Sequence, residues 1–119
     1  MSIERIQSGP RMSQAVIHNN VVYLAGQVAN KTQQGGVAEQ AQEILAGVDA
    51  LLAAAGTDKS KLLTAMIWLT DMGTFAEMNR VWEGWVVRGA TPARATVVSA
   101  QLAGADYKIE IAVTAAREP

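Results

Sequence analysis

The sequence predicts an α+β fold in which two helices cover one face of a mixed β-sheet. Three observations carry this. Two amphipathic stretches with a three-and-four apolar spacing each end at a glycine and are each followed by a short apolar run. The segment from Lys108 alternates strictly, as a half-buried strand does. The N-terminal third holds two β-rich runs joined at an asparagine pair, before either helix.

In chain order, a first strand is expected over Ile3–Gln7. Val16–Leu24 then contains two strand-forming runs on either side of Asn19-Asn20. Asparagine tolerates positive φ, so this pair suits a two-residue hairpin turn. Between Val37 and Ala55, Ile44, Leu45, Val48, Leu51, Leu52 and Ala55 form one stripe, and Gly56 stands where a helix C-cap glycine belongs. The run from Leu62 to Thr70 is almost continuously apolar and too short for a typical helix, so it reads as a strand buried on both faces. Thr74-Phe-Ala-Glu77 has the spacing of a capping box. Behind it, Phe75, Met78, Val81, Trp82, Trp85 and Val86 make a helical apolar face that ends at Gly89. Thr91-Pro92 breaks the chain, Ala95–Ala100 reads as a strand, and Ile109, Ile111, Val113 and Ala115 form the inward face of the last one.

No linker or low-complexity tract divides the chain, so residues 1–119 read as one domain. Half of the residues are hydrophobic and 18% are charged, the balance of a folded chain. Lysine plus arginine is 10 against 11 acidic residues, a net charge of −1 with no basic excess for nucleic acid or an anionic membrane. There is no cysteine and one histidine, which excludes thiol nucleophiles, disulfides and most metal sites. No apolar run approaches the ~18 residues of a membrane span, and Met1-Ser-Ile-Glu-Arg has no signal-peptide shape. A soluble cytoplasmic protein is expected. Two helices can cover only one side of the sheet, yet Leu62–Leu69 is apolar on both, so self-association through the uncovered face is expected.

Few groups remain that could do chemistry. His18 adjoins the Asn19-Asn20 turn and reads as a surface residue. Arg94, just after Thr91-Pro92-Ala93, offers a rigid fork of donors suited to a carboxylate, or an ion pair that secures the loop. Glu110 faces away from Ile109 and Ile111. It could hold or deprotonate a water in a cleft, or be the polar side of a half-buried strand. Gly26-Gln27 and Asn79 offer backbone and amide hydrogen bonds. Trp68, Trp82 and Trp85 fit core or interface positions. Neither a phosphate loop nor a dinucleotide fingerprint occurs.

Five segments stand out by their order and spacing: Ser13-Gln-Ala-Val, Tyr23-Leu-Ala-Gly-Gln27, Asp71-Met with Phe75-x-x-Met-Asn79, Thr91-Pro-Ala-Arg-Ala-Thr96, and Ile109-Glu-Ile-x-Val-x-Ala115. Together they resemble the RidA family, also called YjgF or endoribonuclease L-PSP. The resemblance spans nearly the whole chain. It implies a chorismate mutase-like fold and a homotrimer whose apolar sheet faces line a central barrel, with clefts between subunits. It also implies cofactor-free hydrolysis of reactive enamines and imines, such as 2-aminoacrylate and 2-iminopropionate, to 2-keto acids and ammonia. By the same resemblance Arg94 clamps the substrate carboxylate, Glu110 positions the attacking water, Asn79 lines the cleft and Gly26 forms a backbone wall.

Three positions depart from the family pattern. Arg11-Met12 stands where better-known members carry Pro-Tyr, so Met12 brings no hydroxyl to the cleft. Ala25 replaces a frequent serine and Thr96 a frequent cysteine. Two other readings stay open: a non-catalytic module that binds small carboxylates or keto acids in the same clefts, and the ribonuclease activity in the family's older name. Near-neutral charge and a single histidine weigh against the latter.

Overall fold

A computed structural model describes residues 2–119. Its strands are β1 (Glu4–Ser8), β2 (Ser13–His18), β3 (Val21–Leu24), β4 (Leu62–Leu69), β5 (Ala93–Val98) and β6 (Ile109–Ala116). Helix α1 (Val37–Ala54) lies between β3 and β4, and α2 (Phe75–Trp85) between β4 and β5. The six strands form one sheet in the order β1-β2-β3-β6-β4-β5, antiparallel except for the parallel β4–β5 pair. The α+β reading and the element order are therefore borne out.

The local chemistry explains most boundaries. Asn19 and Asn20 take φ of 53° and 64°, the two left-handed residues that a twisted two-residue hairpin requires. α1 ends in a paired set of bonds, Gly56 N–H to the Ala53 carbonyl at 3.0 Å and Thr57 N–H to the Leu52 carbonyl at 2.9 Å. Gly56 has φ +83°, which a side chain would disfavour.

Four expectations need correction, the last of them on β4. Thr74 and Glu77 form no capping box. A 3₁₀ turn over Met72–Thr74 leads into α2, and Thr74 takes φ −93°, ψ 5° instead of the extended N-cap geometry. Its hydroxyl donates to the Asp71 carbonyl at 2.7 Å, and Glu77 accepts the Ala38 N–H at 3.1 Å. Glu77 thus caps the other helix, placing negative charge at the positive end of α1. Helix α2 stops at Trp85 and not at Gly89, because Val86 turns extended (ψ 156°) at the start of a β-branched pair. Strand β5 begins at Ala93, where parallel pairing with Thr64 starts, so Arg94 lies inside the strand.

The core lies between the sheet and the helices. Ile44, Val48 and Leu52 of α1 meet Ile67 and Leu69 of β4 and Ile109, Ile111 and Val113 of β6, all almost fully buried. Strand β4 differs from the two-sided burial expected. Leu62, Ala65, Ile67 and Leu69 are buried, whereas Met66 and Trp68 are half-buried and Leu63 and Thr64 exposed. The open face carries a cavity of about 570 Å³ whose lining includes Tyr23, Met66, Ala95, Ala112 and Thr114. Tyr23 is 47% exposed and Val97 38%, large apolar surface for a chain this size. Among the described residues, no helix is long and apolar enough to cross a membrane.

The one fully buried polar side chain among the described residues is Gln40 on α1. Its amide donates to the carbonyls of Gln33 at 3.2 Å and Asp106 at 3.0 Å, and its oxygen accepts the Lys108 N–H at 2.9 Å. One side chain thereby joins the loop after β3 to the loop before β6.

Candidate functional site

Arg94 lies beside Ala65 in the β4–β5 register and projects on the helix-covered side. Its Nη1 donates to Asn79 Oδ1 at 2.8 Å. The guanidinium carbon lies 5.8 Å from the Phe75 ring centroid and 5.5 Å from that of Trp82, within the range of cation–π attraction. Phe75, Asn79 and Trp82 recur at four and three along α2, so a single helical stripe forms the seat of Arg94. No acid pairs with Arg94 among the described residues, which removes the loop-securing ion pair as its role. Donors remain free on a side chain whose orientation is already fixed.

Glu110 occupies the opposite face. It is in register with Trp68, and it alternates with the buried Ile109 and Ile111. Gln27 forms a reciprocal backbone bridge with Ile111 (2.8 and 3.1 Å), which draws the Gly26 backbone against the Glu110 side chain. A Cβ at position 26 would overlap Glu110 Oε2 and lie 2.9 Å from its Cδ. A side chain at position 26 would force the Glu110 carboxylate to move, so glycine matters here through close approach and not through backbone angle. No side chain of the described residues hydrogen-bonds the Glu110 carboxylate, so its acceptor sites are open.

The other candidates lie nearby or apart. Ala25 donates its N–H to the Gln14 carbonyl at 2.9 Å, and its own carbonyl accepts from Gln27 Nε2 at 2.9 Å. Met12 is 48% exposed and borders a shallow pocket with Arg11 and Pro10. The Thr96 hydroxyl, two residues beyond Arg94, is buried without a hydrogen-bond partner. His18 stays at the hairpin, its Nδ1 3.5 Å from the Ser2 carbonyl oxygen. Trp82 is core, and Trp85 donates its indole N–H to Asp49 Oδ2 at 3.0 Å. Sequence reasoning missed Phe75 and Trp82 as the walls of the arginine seat, although their spacing from Asn79 was in view. It also missed the steric bond between Gly26 and Glu110, which no linear spacing displays. Among the described residues, no three His, Asp or Glu side chains cluster in a way that could hold a metal.

This architecture defines an α+β protein with a seated arginine on one side of its sheet and an open carboxylate on the other. Known proteins share its fold. A family model described as endoribonuclease L-PSP matches residues 2–117, and the chain belongs to that family. A RutC family protein of Haemophilus influenzae is 44% identical over 97% of this chain and 98% of its own length. The RutC family protein YoaB of Escherichia coli is 43% identical over 98% and 99%. The crystal structure of a YjgF family member from Neisseria meningitidis superposes with a TM-score of 0.95 at 42% identity, covering 100% of this chain and 98% of that one.

Proposed function

We propose that the protein hydrolyses reactive enamine and imine intermediates, 2-aminoacrylate or 2-imino acids, to 2-keto acids and ammonia in clefts between subunits of a homotrimer. The observation that carries this reading is the division of the pair. Arg94, oriented by Asn79, and Glu110, seated on Gly26, occupy opposite sides of one sheet. A cleft that needs both is completed by a second copy, and the apolar open face supplies the surface for such packing.

The chemistry suits these groups. The enamine first tautomerises to the imine, whose carbon is electrophilic. Arg94 holds the carboxylate with its free N–H groups, fixing that carbon in place. Glu110 accepts a proton from water as the water oxygen bonds to the imine carbon, and the nitrogen takes up a proton. Glu110 then returns its proton to the nitrogen, the C–N bond of the carbinolamine breaks as ammonia leaves, and the hydroxyl loses its proton to give the keto acid. One water is consumed and one ammonia released, with no redox change and no covalent enzyme intermediate. Met12, Ala25 and Thr96 shape the remaining wall, and without the tyrosine and serine hydroxyls that wall favours larger, less polar imines.

The test generates imines in situ with an amino-acid oxidase, using short and bulky amino acids, and follows keto-acid and ammonia release. The parent should accelerate decay, and Arg94→Ala should reduce this about 10²–10³-fold, the loss expected for a charge-assisted clamp. Full activity in Arg94→Ala would remove Arg94 from the reaction. Keto-acid binding without any turnover would favour the non-catalytic reading, which the unfilled hydroxyl positions at Met12 and Ala25 support.

A further inference from the structure

A pocket of about 370 Å³ that neither Arg94 nor Glu110 lines opens between the start of the sheet and α1. Four carboxamide residues line it. Gln7 and Asn30 are exposed at its rim, and Gln14 and Gln27 are half-buried further in. Leu51 and Ala50 supply an apolar wall, and Gly47 completes it. No ionisable side chain is among these residues.

Two features of this lining work against the stability of the chain. Gly47 lies in the middle of α1, where glycine is the poorest residue short of proline. Packing does not demand it, because a Cβ there would meet nothing within 4 Å. Gln7 takes φ +52°, a left-handed conformation uncommon for a side-chain-bearing residue. The β1–β2 ladder pairs Ile6 with Ala15 and Ser8 with Ser13 while leaving Gln7 out. Strain and open space that converge on one pocket point to use.

The hydrogen-bond inventory indicates what the pocket accepts. Both N–H groups of the Gln27 amide are spent, on Gln14 Oε1 and the Ala25 carbonyl, each at 2.9 Å. That pair locks the two glutamines. It leaves Gln14 Nε2 as a donor and Gln27 Oε1 as an acceptor. Asn30 Oδ1 accepts from the Tyr107 hydroxyl, which leaves Asn30 Nδ2 as a second donor. A rigid acceptor beside two donors matches an amide, whose carbonyl accepts and whose N–H donates. With no counter-charge in the lining, an ion would lose hydration without compensation. We infer that this pocket is a binding site for a small neutral carboxamide or lactam with a short alkyl portion. This inference is independent of the proposed hydrolysis.

Gly47→Ala separates a binding role from a structural one, because the two predict opposite changes. Nitrogen-labelled parent protein is titrated with 2-pyrrolidinone and with propionamide, following the side-chain amide resonances of Gln14 and Gln27. Propionate serves as the charged control. Saturable shifts with either neutral probe and none with propionate are expected. Gly47→Ala should bind at least about tenfold more weakly while its melting temperature rises by about 3–6 °C from improved helix propensity. The inference is overturned by the absence of saturable shifts with both neutral probes up to about 0.1 M, a range that captures weak fragment binding. It is equally overturned by propionate shifting the same resonances, or by Gly47→Ala binding as tightly as the parent.

Discussion

The two faces of the sheet are built by opposite rules. The helix-covered face is dry and crowded, and its polar member, Arg94, is held by a helical stripe of Phe75, Asn79 and Trp82. The open face is mostly apolar and unfilled, and Glu110 on it lies against Gly26, where a side chain would displace it. One residue is positioned by what surrounds it and the other by what has been left out. Substitutions on the two faces should therefore fail in different ways.

The largest effect is expected on the open face. Met66→Lys places a charge in the cavity beside Ala95 and Ala112 while leaving the buried residues of β4 in place. Burying an unpaired ammonium costs several kcal/mol, so the proposed trimer should fail to assemble. Sedimentation should report monomers that remain folded by circular dichroism and have no turnover. A persisting trimer would detach the open face from assembly.

Gly26→Ala comes next. Its methyl displaces the Glu110 carboxylate without touching Arg94, so kcat should fall about 10²-fold, within the range for a positioned acid or base. KM should stay near its parent value. Asn79→Ala should show the reverse pattern. Arg94 keeps its charge and its aromatic walls but loses the bond that aims it. KM should then rise about tenfold, the worth of one hydrogen bond to a charged group, with kcat less affected. If both variants showed the same split between kcat and KM, the distinction between the faces would collapse.

The smallest effect concerns the loop behind Gly26. Burial alone would push the Glu43 carboxyl up. The Thr32 hydroxyl and the Lys31 and Thr32 amides outweigh it and hold the group below its usual range. A carboxyl depressed in the folded state adds stability above its unfolded value near 4.5, and that stability is lost as pH falls through the lower folded value. Glu43→Gln should lower stability by about 1–2 kcal/mol at neutral pH, with the difference from the parent shrinking in acid, as denaturant melts at several pH values would measure.

Much of this was legible in the sequence, for identifiable reasons. The alternation of Ile109, Ile111 and Val113 and the stripe of Ile44, Val48 and Leu52 are local periodicities, and local periodicity fixes faces. The Asn19-Asn20 turn and the Gly56 cap are local conformational preferences of the same kind. Arg94, Asn79 and Glu110 could be singled out by residue type and resemblance. That Arg94 and Glu110 fall on opposite sides of the sheet could not, because it depends on the register that sets Arg94 beside Ala65 and Glu110 beside Trp68. Glu77 misled for a related reason. Its spacing from Thr74 matched a local motif, but its partner, Ala38, is brought close only by the packing of α2 on α1.

The buried Gln40 amide also sets a clock. It is bonded at once to Asp106 and Lys108, residues more than sixty positions away, so neither loop can open to water without breaking the same side chain's contacts. The Lys108 amide proton belongs to no strand pair, yet its exchange with solvent should follow the slow openings of the core and not the fast fraying of a surface loop. The segment that leads into Glu110 would then remain in place over times far longer than a turnover.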